Sequence, residues 1–458
     1  MQELFLHYFF PIRINLPYTI LCMIRTYSLW LCSFLVCLLF FQCNTDVKKN
    51  VEFITVQNGQ FIKNNKPYYF IGTNYWYGAI LGSDTLGGNR TRLIRELDFL
   101  KAIGIDNLRI MVGAEGPDFQ PFRVTPALVK EPGVYSPKLL KGLDYLLHQM
   151  QLRNMCAVLY FTNNWEWSGG MAQYLNWNGY GEYVNPNLEQ YSWNDFYNYQ
   201  KQFYSCQPCI SQVNHYIETI ITRTNSITGI KYADDPTIMA WELANEPRPM
   251  ATDNFEPFIQ WIKNTSAFIK KLDPNHLVTT GNEGEKGCSE SIELFETIHA
   301  FPSIDYITFH IWIKNWGWYQ HQNADSTFPQ ALQLVQKYFD DHVAIAKKLN
   351  KPMVLEEFGM ARDQEMFGPG TPTTLRDAYY DFCFNQIAQS VAENGVLAGA
   401  NFWTFGGFTQ PVKEQNYWKP GDPYSGDPPQ EEQGLNSVYP GDSSTMRIIL
   451  KYNQLFNR

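Results

Sequence analysis

Residues 237–247 read TIMAWELANEP. A seven-residue run of apolar and β-favouring residues, Thr237–Leu243, has the length of a strand. It ends on Ala244, polar Asn245 and Glu246, and then Pro247. A strand that delivers an amide and a carboxylate at its C-terminal end is the unit from which α/β enzymes assemble sites. The same unit recurs along the chain. Strands are expected at Tyr68–Thr73, Asp106–Val112, Met155–Phe161, His276–Thr280, Tyr306–His310, Pro352–Glu357 and Gly399–Thr404. Amphipathic stretches at helical spacing separate them, among them Thr91–Ile103, Pro137–Asn154, Phe255–Leu272, Gln330–Leu349 and Thr374–Glu393, with a last helix near Thr445–Phe456.

Eight strands alternating with eight helices predict an α/β fold, a (β/α)8 TIM barrel forming a single enlarged domain over residues 51–458. A doubly wound open sheet is the alternative. It usually carries a Gly-rich phosphate turn after its first strand, whereas this chain has Gly72-Thr73-Asn74-Tyr75-Trp76 there. Thr162–Trp193 is too long for a plain connection and is rich in Trp, Tyr, Gly and Asn, which points to a functional loop. Lys419–Gly434 reads as an exposed loop after the last strand.

The 458 residues carry 18% charged side chains and a formal net charge of -9, without the clustered Lys and Arg that nucleic acid requires. Aromatic residues reach 16%, more than one core needs, and suit ligands with flat apolar faces and wet edges. Residues 23–43, MIRTYSLWLCSFLVCLLFFQC, have a basic start, a short apolar run and a terminal Cys43, so residues 1–43 are expected to be a leader of the bacterial lipoprotein type. Cys43 would be the lipidated residue and membrane anchor, residues 44–50 a short tether, and Met23 an alternative start. An ordinary cleaved signal or an uncleaved anchor are the other readings. Either way the expected location is secreted, periplasmic or on the cell surface as an outer-membrane lipoprotein. Cys206 and Cys209 lack the second pair of a zinc site and a thioredoxin-like setting, so a local disulfide is expected. No HExxH, calcium loop, nucleotide motif or GxSxG elbow occurs, and neither metal nor cofactor is expected.

The expected strand ends carry Asn74 and Trp76, Arg109, Asn163, Asn164 and Trp165, Asn245 and Glu246, Glu283, His310 and Trp312, Glu356 and Glu357, and Trp403. In a barrel all of them open on one face. Two carboxylates on facing strands suit glycosidic cleavage, one as attacking anion and the other as proton donor and then acceptor. Arg109 and His310 could keep one of them ionised, while alternation along the strand turns Glu356 away from Glu357.

Trp241–Pro247 resembles the strand-four Asn-Glu-Pro motif of glycoside hydrolase family 5, and Leu355-Glu356-Glu357-Phe358-Gly359 resembles its strand-seven motif. The resemblance implies that Glu246 is the acid/base, Glu357 the nucleophile, Asn245 a contact to the sugar 2-hydroxyl, Arg109 a support for the nucleophile, His310 the strand-six histidine and Trp403 the ring beneath the sugar. Where many members have His-x-Tyr, this chain has His310-Ile311-Trp312. Gly72–Tyr77, Thr162–Trp165 with Gly169-Gly170, and Ile230–Pro249 resemble the endo-β-1,4-mannanase branch. That branch implies endo-hydrolysis of β-mannan, glucomannan or galactomannan. Trp76, Asn164, Trp165 and Trp312, at the strand ends, are expected as further substrate contacts, and Glu283 either binds sugar or shapes a turn. A cellulase, a xyloglucan-active enzyme or an exo-β-mannosidase are alternatives, and a surface-anchored, non-catalytic glycan-binding barrel is the alternative of another class.

Overall fold

The computed structural model describes residues 52–456. The leader, the tether and Cys43 lie outside them. Eight parallel strands form one sheet: β1 (Phe70–Asn74), β2 (Asn107–Met111), β3 (Cys156–Tyr160), β4 (Ile238–Glu242), β5 (Leu277–Thr279), β6 (Ile307–Ile311), β7 (Met353–Phe358) and β8 (Leu397–Phe402). Hydrogen-bonded neighbours run β5-β4-β3-β2-β1-β8-β7-β6. The seam between β5 and β6 has no regular ladder. Asp305 bridges it instead, its N–H donating to Val278 O at 2.8 Å and its carboxylate accepting from Val278 N at 2.7 Å. Thr279 Oγ1 adds a bond to Tyr306 O at 3.0 Å.

The eight crossover helices are α1 (Arg90–Ala102), α2 (Pro137–Gln151), α3 (Gln207–Ile221), α4 (Phe255–Leu272), α5 (Ile292–His299), α6 (Ala324–Leu349), α7 (Thr374–Ala392) and α8 (Ser443–Phe456). Local chemistry sets their starts. Asn89, Ser136 and Ser291 accept from the first-turn N–H groups of α1, α2 and α5, and Pro137 sits where a missing N–H costs nothing. Cys206 and Cys209, at the start of α3, are joined in a disulfide.

Three short antiparallel strands precede the barrel, Thr55–Gln57, Gln60–Lys63 and Lys66–Pro67. At two to four residues they are too short for an alternation signal, and the sequence shows only a turn there. They carry Phe61, fully buried among Phe70, Val158, Met239, Leu277, Tyr306 and Val354, and this cluster plugs the N-terminal end of the barrel. Its ring meets Tyr306 edge-on at 5.2 Å.

Loops build the opposite face. The Thr162–Trp193 stretch is ordered and includes a helix at Gly170–Trp177, with another at Trp193–Gln200 capped reciprocally by Ser192 and Asp195. Buried Glu115 pins its start, accepting from Thr162 Oγ1 at 2.8 Å and Gly170 N at 2.9 Å.

One irregularity shapes the site. Phe309 pairs with Leu355, but His310 pairs with Glu357, so Glu356 is an extra residue in β7. Such a bulge breaks the two-residue alternation. Glu356 consequently does not turn away: its carboxylate lies 3.6 Å from Arg109 Nε and 3.9 Å from His310 Nε2.

Truncating Phe61 to Ala opens the plugged end, and we expect a loss of about 3–5 kcal/mol in stability. Denaturant unfolding should show this, with activity per folded molecule unchanged because Phe61 lies at the other pole from the cleft.

Candidate active site

The C-terminal strand ends open into a cavity of about 590 Å³. Glu246 follows β4 and Glu357 lies in β7, and both line it. Glu246 is held with φ +50, a left-handed backbone. Its N–H donates to Gly281 O at 2.9 Å. Gly281, at φ +74, has no room for a side chain: a Cβ would stand 2.0 Å from Ala244 O and 2.2 Å from Glu242 Oε1.

Arg109, from β2, is fully buried beneath the carboxylates. Nε donates to Glu242 Oε2 at 2.9 Å, Nη2 to Glu242 Oε1 at 2.5 Å and to Asn245 Oδ1 at 2.8 Å, and Nη1 to Asn74 Oδ1 at 3.0 Å and to Glu357 Oε1. His310 Nδ1 donates to Glu246 Oε1 at 2.7 Å and stands 3.5 Å from Glu357 Oε2. One oxygen of each carboxylate and a His310 ring nitrogen lie within 4.8 Å of one another.

These contacts set the charges. Burial opposes protonation of His310, but the charge of Glu357 and the bonds to Glu246 and Glu356 outweigh it and lift the imidazole to about 10. Burial raises Glu246, yet the His310 bond and charge, Arg248 and the indole of Trp165 bring it down to about 2. Burial and the charge of Glu246 raise Glu357 to about 7, against His310 and Arg109. So close a pair titrates jointly, and across the window from about 2 to about 7 it holds one proton between its two members. The imidazolium, bonded to Glu246, favours that carboxylate as the anion.

Asn245 lines the cavity, with Nδ2 donating to Asn163 Oδ1 at 3.1 Å. Trp403 forms part of the wall with an unpartnered Nε1, its ring 6.2 Å from that of Trp312, which also lines the cavity. Among the described residues, Trp312 makes no hydrogen bond to Glu357, whose partner is Arg109. Trp165 lines the cavity and donates Nε1–H to Glu246 Oε2 at 2.5 Å. Glu283 lines it too, but its carboxylate is taken by Arg248, with Nη2 at 2.6 Å.

Four residues expected as substrate contacts are absent from the lining: Arg109 and His310 lie fully buried beneath the carboxylates, and Trp76 and Asn164 lie elsewhere. Trp76 is fully buried behind the wall, donating to Gly426 O at 2.6 Å and packing edge-on against Trp167 and Tyr424. Asn164 is fully buried and absent from the lining, although its backbone N–H donates to Asn245 O at 2.9 Å. The sequence reading missed Arg248, Glu166, Trp167, Trp193, Trp316 and Glu431, all of which line the cavity. Arg248 offered a signal, two residues beyond Glu246 on the same turn, and Glu166, Trp167 and Trp193 fall in the Trp-rich stretch read as a functional loop. Arg248 also lies 4.7 Å over the ring of Trp165.

Paired carboxylates over a buried cation, inside a ring-walled cleft at the mouth of a barrel, are the apparatus of a glycoside hydrolase. The family model described as GH family 5 beta-mannosidase-like matches residues 51–458. Mannan endo-1,4-beta-mannosidase 5 of Solanum lycopersicum is 31% identical, over 77% of this chain and 80% of its own. Mannan endo-1,4-beta-mannosidase 7 of Arabidopsis thaliana is 30% identical, over 79% and 80%. The solved family 5 mannosidase of Rhizomucor miehei superposes with a TM-score of 0.81 at 34% identity, over 89% of this chain and 98% of its own. The chain belongs to glycoside hydrolase family 5, within the β-mannosidase-like group.

Replacing His310 with Asn removes a cation from the carboxylates. Each carboxyl then ionises less readily, so the shared proton is kept to higher pH. The alkaline limb of kcat/KM, set in the wild type near 7, should move upward. A limb that stays in place or moves down rules out a charged His310.

Proposed function

We propose that the chain is a retaining endo-β-1,4-mannanase acting on β-mannan, glucomannan or galactomannan. The observation that carries retention is the approach of one carboxylate oxygen of Glu246 to one of Glu357 within 4.8 Å, which leaves no room for the intervening water that inversion needs at a separation of about 6.5–9.5 Å. The names of the Solanum and Arabidopsis relatives support mannan and endo action. Glu357, ionised and held by Arg109, attacks the anomeric carbon while Glu246 gives its proton to the departing glycosidic oxygen. The reaction thus uses the one-proton state of the pair, with the proton on Glu246. Water then gives a proton to Glu246, its oxygen bonds to the anomeric carbon, and Glu357 leaves. A second reading, β-mannosidase action at chain ends, is favoured by the likeness to the Rhizomucor mannosidase.

Defined manno-oligosaccharides followed by NMR test both readings. Retention gives β-anomers first, and endo action gives internal products rather than mannose alone. An initial α-anomer overturns the mechanism. Glu246→Gln should lose about 10²–10⁴-fold on polymer and less on substrates with good leaving groups. Glu357→Gln should lose at least ~10⁴-fold on both.

We further propose that the protein works outside the cytoplasm as a lipoprotein. The leader ending in Cys43 and the Cys206–Cys209 disulfide support this. Radiolabelled palmitate should enter the full-length chain in a bacterial host and be lost in Cys43→Ala. Equal labelling of both excludes that site.

A further inference from the structure

Outside the cleft, a second cavity of about 450 Å³ opens between α3 and α4. The sequence of α4 builds one side of it. Glu256, Gln260 and Asn264 recur at four-residue spacing and form an exposed polar stripe. Pro257, Trp261 and Thr265, each one residue further on, form the stripe beside it. Trp261 is 2% exposed and Thr265 1%, and both line the cavity. The ring of Trp261 packs at 5.4 Å against Tyr204, a third buried lining residue, from the segment before α3. Ser205, Gln207 and Ile210 complete the opposite wall. The Cys206–Cys209 disulfide lies within that wall and holds it in shape before any ligand arrives.

Two polar atoms of this floor have no partner. Trp261 Nε1 and Thr265 Oγ1 are both buried without a hydrogen bond. The first can only donate, and the second donates and accepts. Such atoms cost stability unless a guest pairs them. No Lys or Arg lines the cavity, and Glu256 is its one charged lining residue, so an anion is disfavoured. Glu256 Oε1 accepts from Gln260 Nε2 at 2.8 Å, which holds the rim together. The amides of Gln207, Gln260 and Asn264 each carry donors and an acceptor. Rings below and amides around suit a neutral guest with an apolar face and a hydroxyl edge. The volume falls within the range of small-ligand sites, about 300–1,000 Å³.

The cavity is tied to the aromatic end of the cleft. Trp193 and Tyr197 line the cleft, and the helix that carries them, Trp193–Gln200, continues into Lys201–Ser205, which carries Tyr204. The Tyr204 hydroxyl meets the backbone of Arg248, another cleft residue. Asn254 Nδ2 donates to Lys201 O at 2.9 Å and to Pro249 O at 2.8 Å, joining the same two segments. We propose that this cavity is a second, non-catalytic carbohydrate site, which holds a mannosyl unit of the polysaccharide whose cleaved bond lies in the cleft. This rests on the proposed mannan-hydrolase reading. Trp261 Nε1–H and Thr265 Oγ1 pair with hydroxyls of the bound unit, and the rim amides pair with others. Two sites on one polymer make the second binding event intramolecular, so the cavity acts on long chains and leaves short ones unaffected.

The test follows the indole N–H signals of the isotope-labelled full chain during titration with mannohexaose, in a Glu357→Gln background that does not consume the sugar. The Trp261 signal, identified by its loss in Trp261→Phe, should move as its N–H gains a partner. Combining Gln260→Ala with Asn264→Ala should weaken the affinity read from that signal by about 5–100-fold, the range for two neutral hydrogen bonds. The Trp165 and Trp403 signals, which report the cleft, should titrate as before. Both rim residues are exposed on α4, so the melting temperature of the double variant should stay near that of the wild type. With Glu357 intact, the double variant should lose at least ~3-fold in kcat/KM on mannan polymer and stay within about twofold of wild type on mannotetraose. A Trp261 signal that stays fixed while those of Trp165 and Trp403 saturate overturns the inference, as do equal losses on polymer and oligosaccharide. If the wild type cleaves no β-mannoside and none of the three signals moves, it is the mannan reading that fails, and the inference with it.

Discussion

The guanidinium of Arg109 is the fixed point of the site. It has five N–H donors, and each finds an acceptor: two on Glu242, one each on Asn245, Asn74 and Glu357. The ring of Tyr160 lies 4.6 Å away as a further face for the charge. Taking so many charges out of water costs several kcal/mol per ion, and a well-packed apolar core would serve stability as well. What the arrangement supplies is orientation. Glu242 and Asn245 from the β4 segment, Asn74 from β1 and Glu357 from β7 are tied to one rigid planar group, so their relative positions cannot drift independently. That rigidity is what a reaction between a proton donor and an anion on two separate strands requires.

The parts of this site that the sequence makes legible are those fixed by strand ends. Asn245, Glu246, His310 and Glu357 each follow or end an apolar run, Arg109 is the one charged residue inside the apolar run of β2, and a parallel barrel gathers such residues whatever the loops do. The parts that stay illegible are fixed by tertiary contacts. Trp76 also follows a strand, but the chain there coils at once into Gly78–Leu81, and the indole finds its acceptor on Gly426, 350 residues away. Glu431 belongs to a loop with no periodicity, and nothing near it in the chain announces the cavity. The N-terminal strands escape notice because runs of two to four residues carry no pattern.

Glu356 is the instructive failure. Two-residue alternation is the firmest rule for reading a strand, and it assigns adjacent residues to opposite faces. The rule assumes a regular ladder. The register of β7 against β6 slips at His310, and the extra residue brings Glu356 in beside its neighbour. A bulge of this kind has no local signature in Leu355-Glu356-Glu357-Phe358.

The slip leaves a lopsided inventory at the floor of the cleft. Glu242, Glu246, Glu356 and Glu357 surround two basic groups, Arg109 and His310. Carboxyl groups outnumber basic ones four to two, and the arrangement is locked into the backbone rather than assembled when a sugar arrives. As a glycosidic bond lengthens, positive charge gathers on the ring oxygen and the carbon beside it, and it does so in surroundings already polarised to welcome it. A stable molecule of sugar shape with a protonated nitrogen at that position would find the same reception, and would stay.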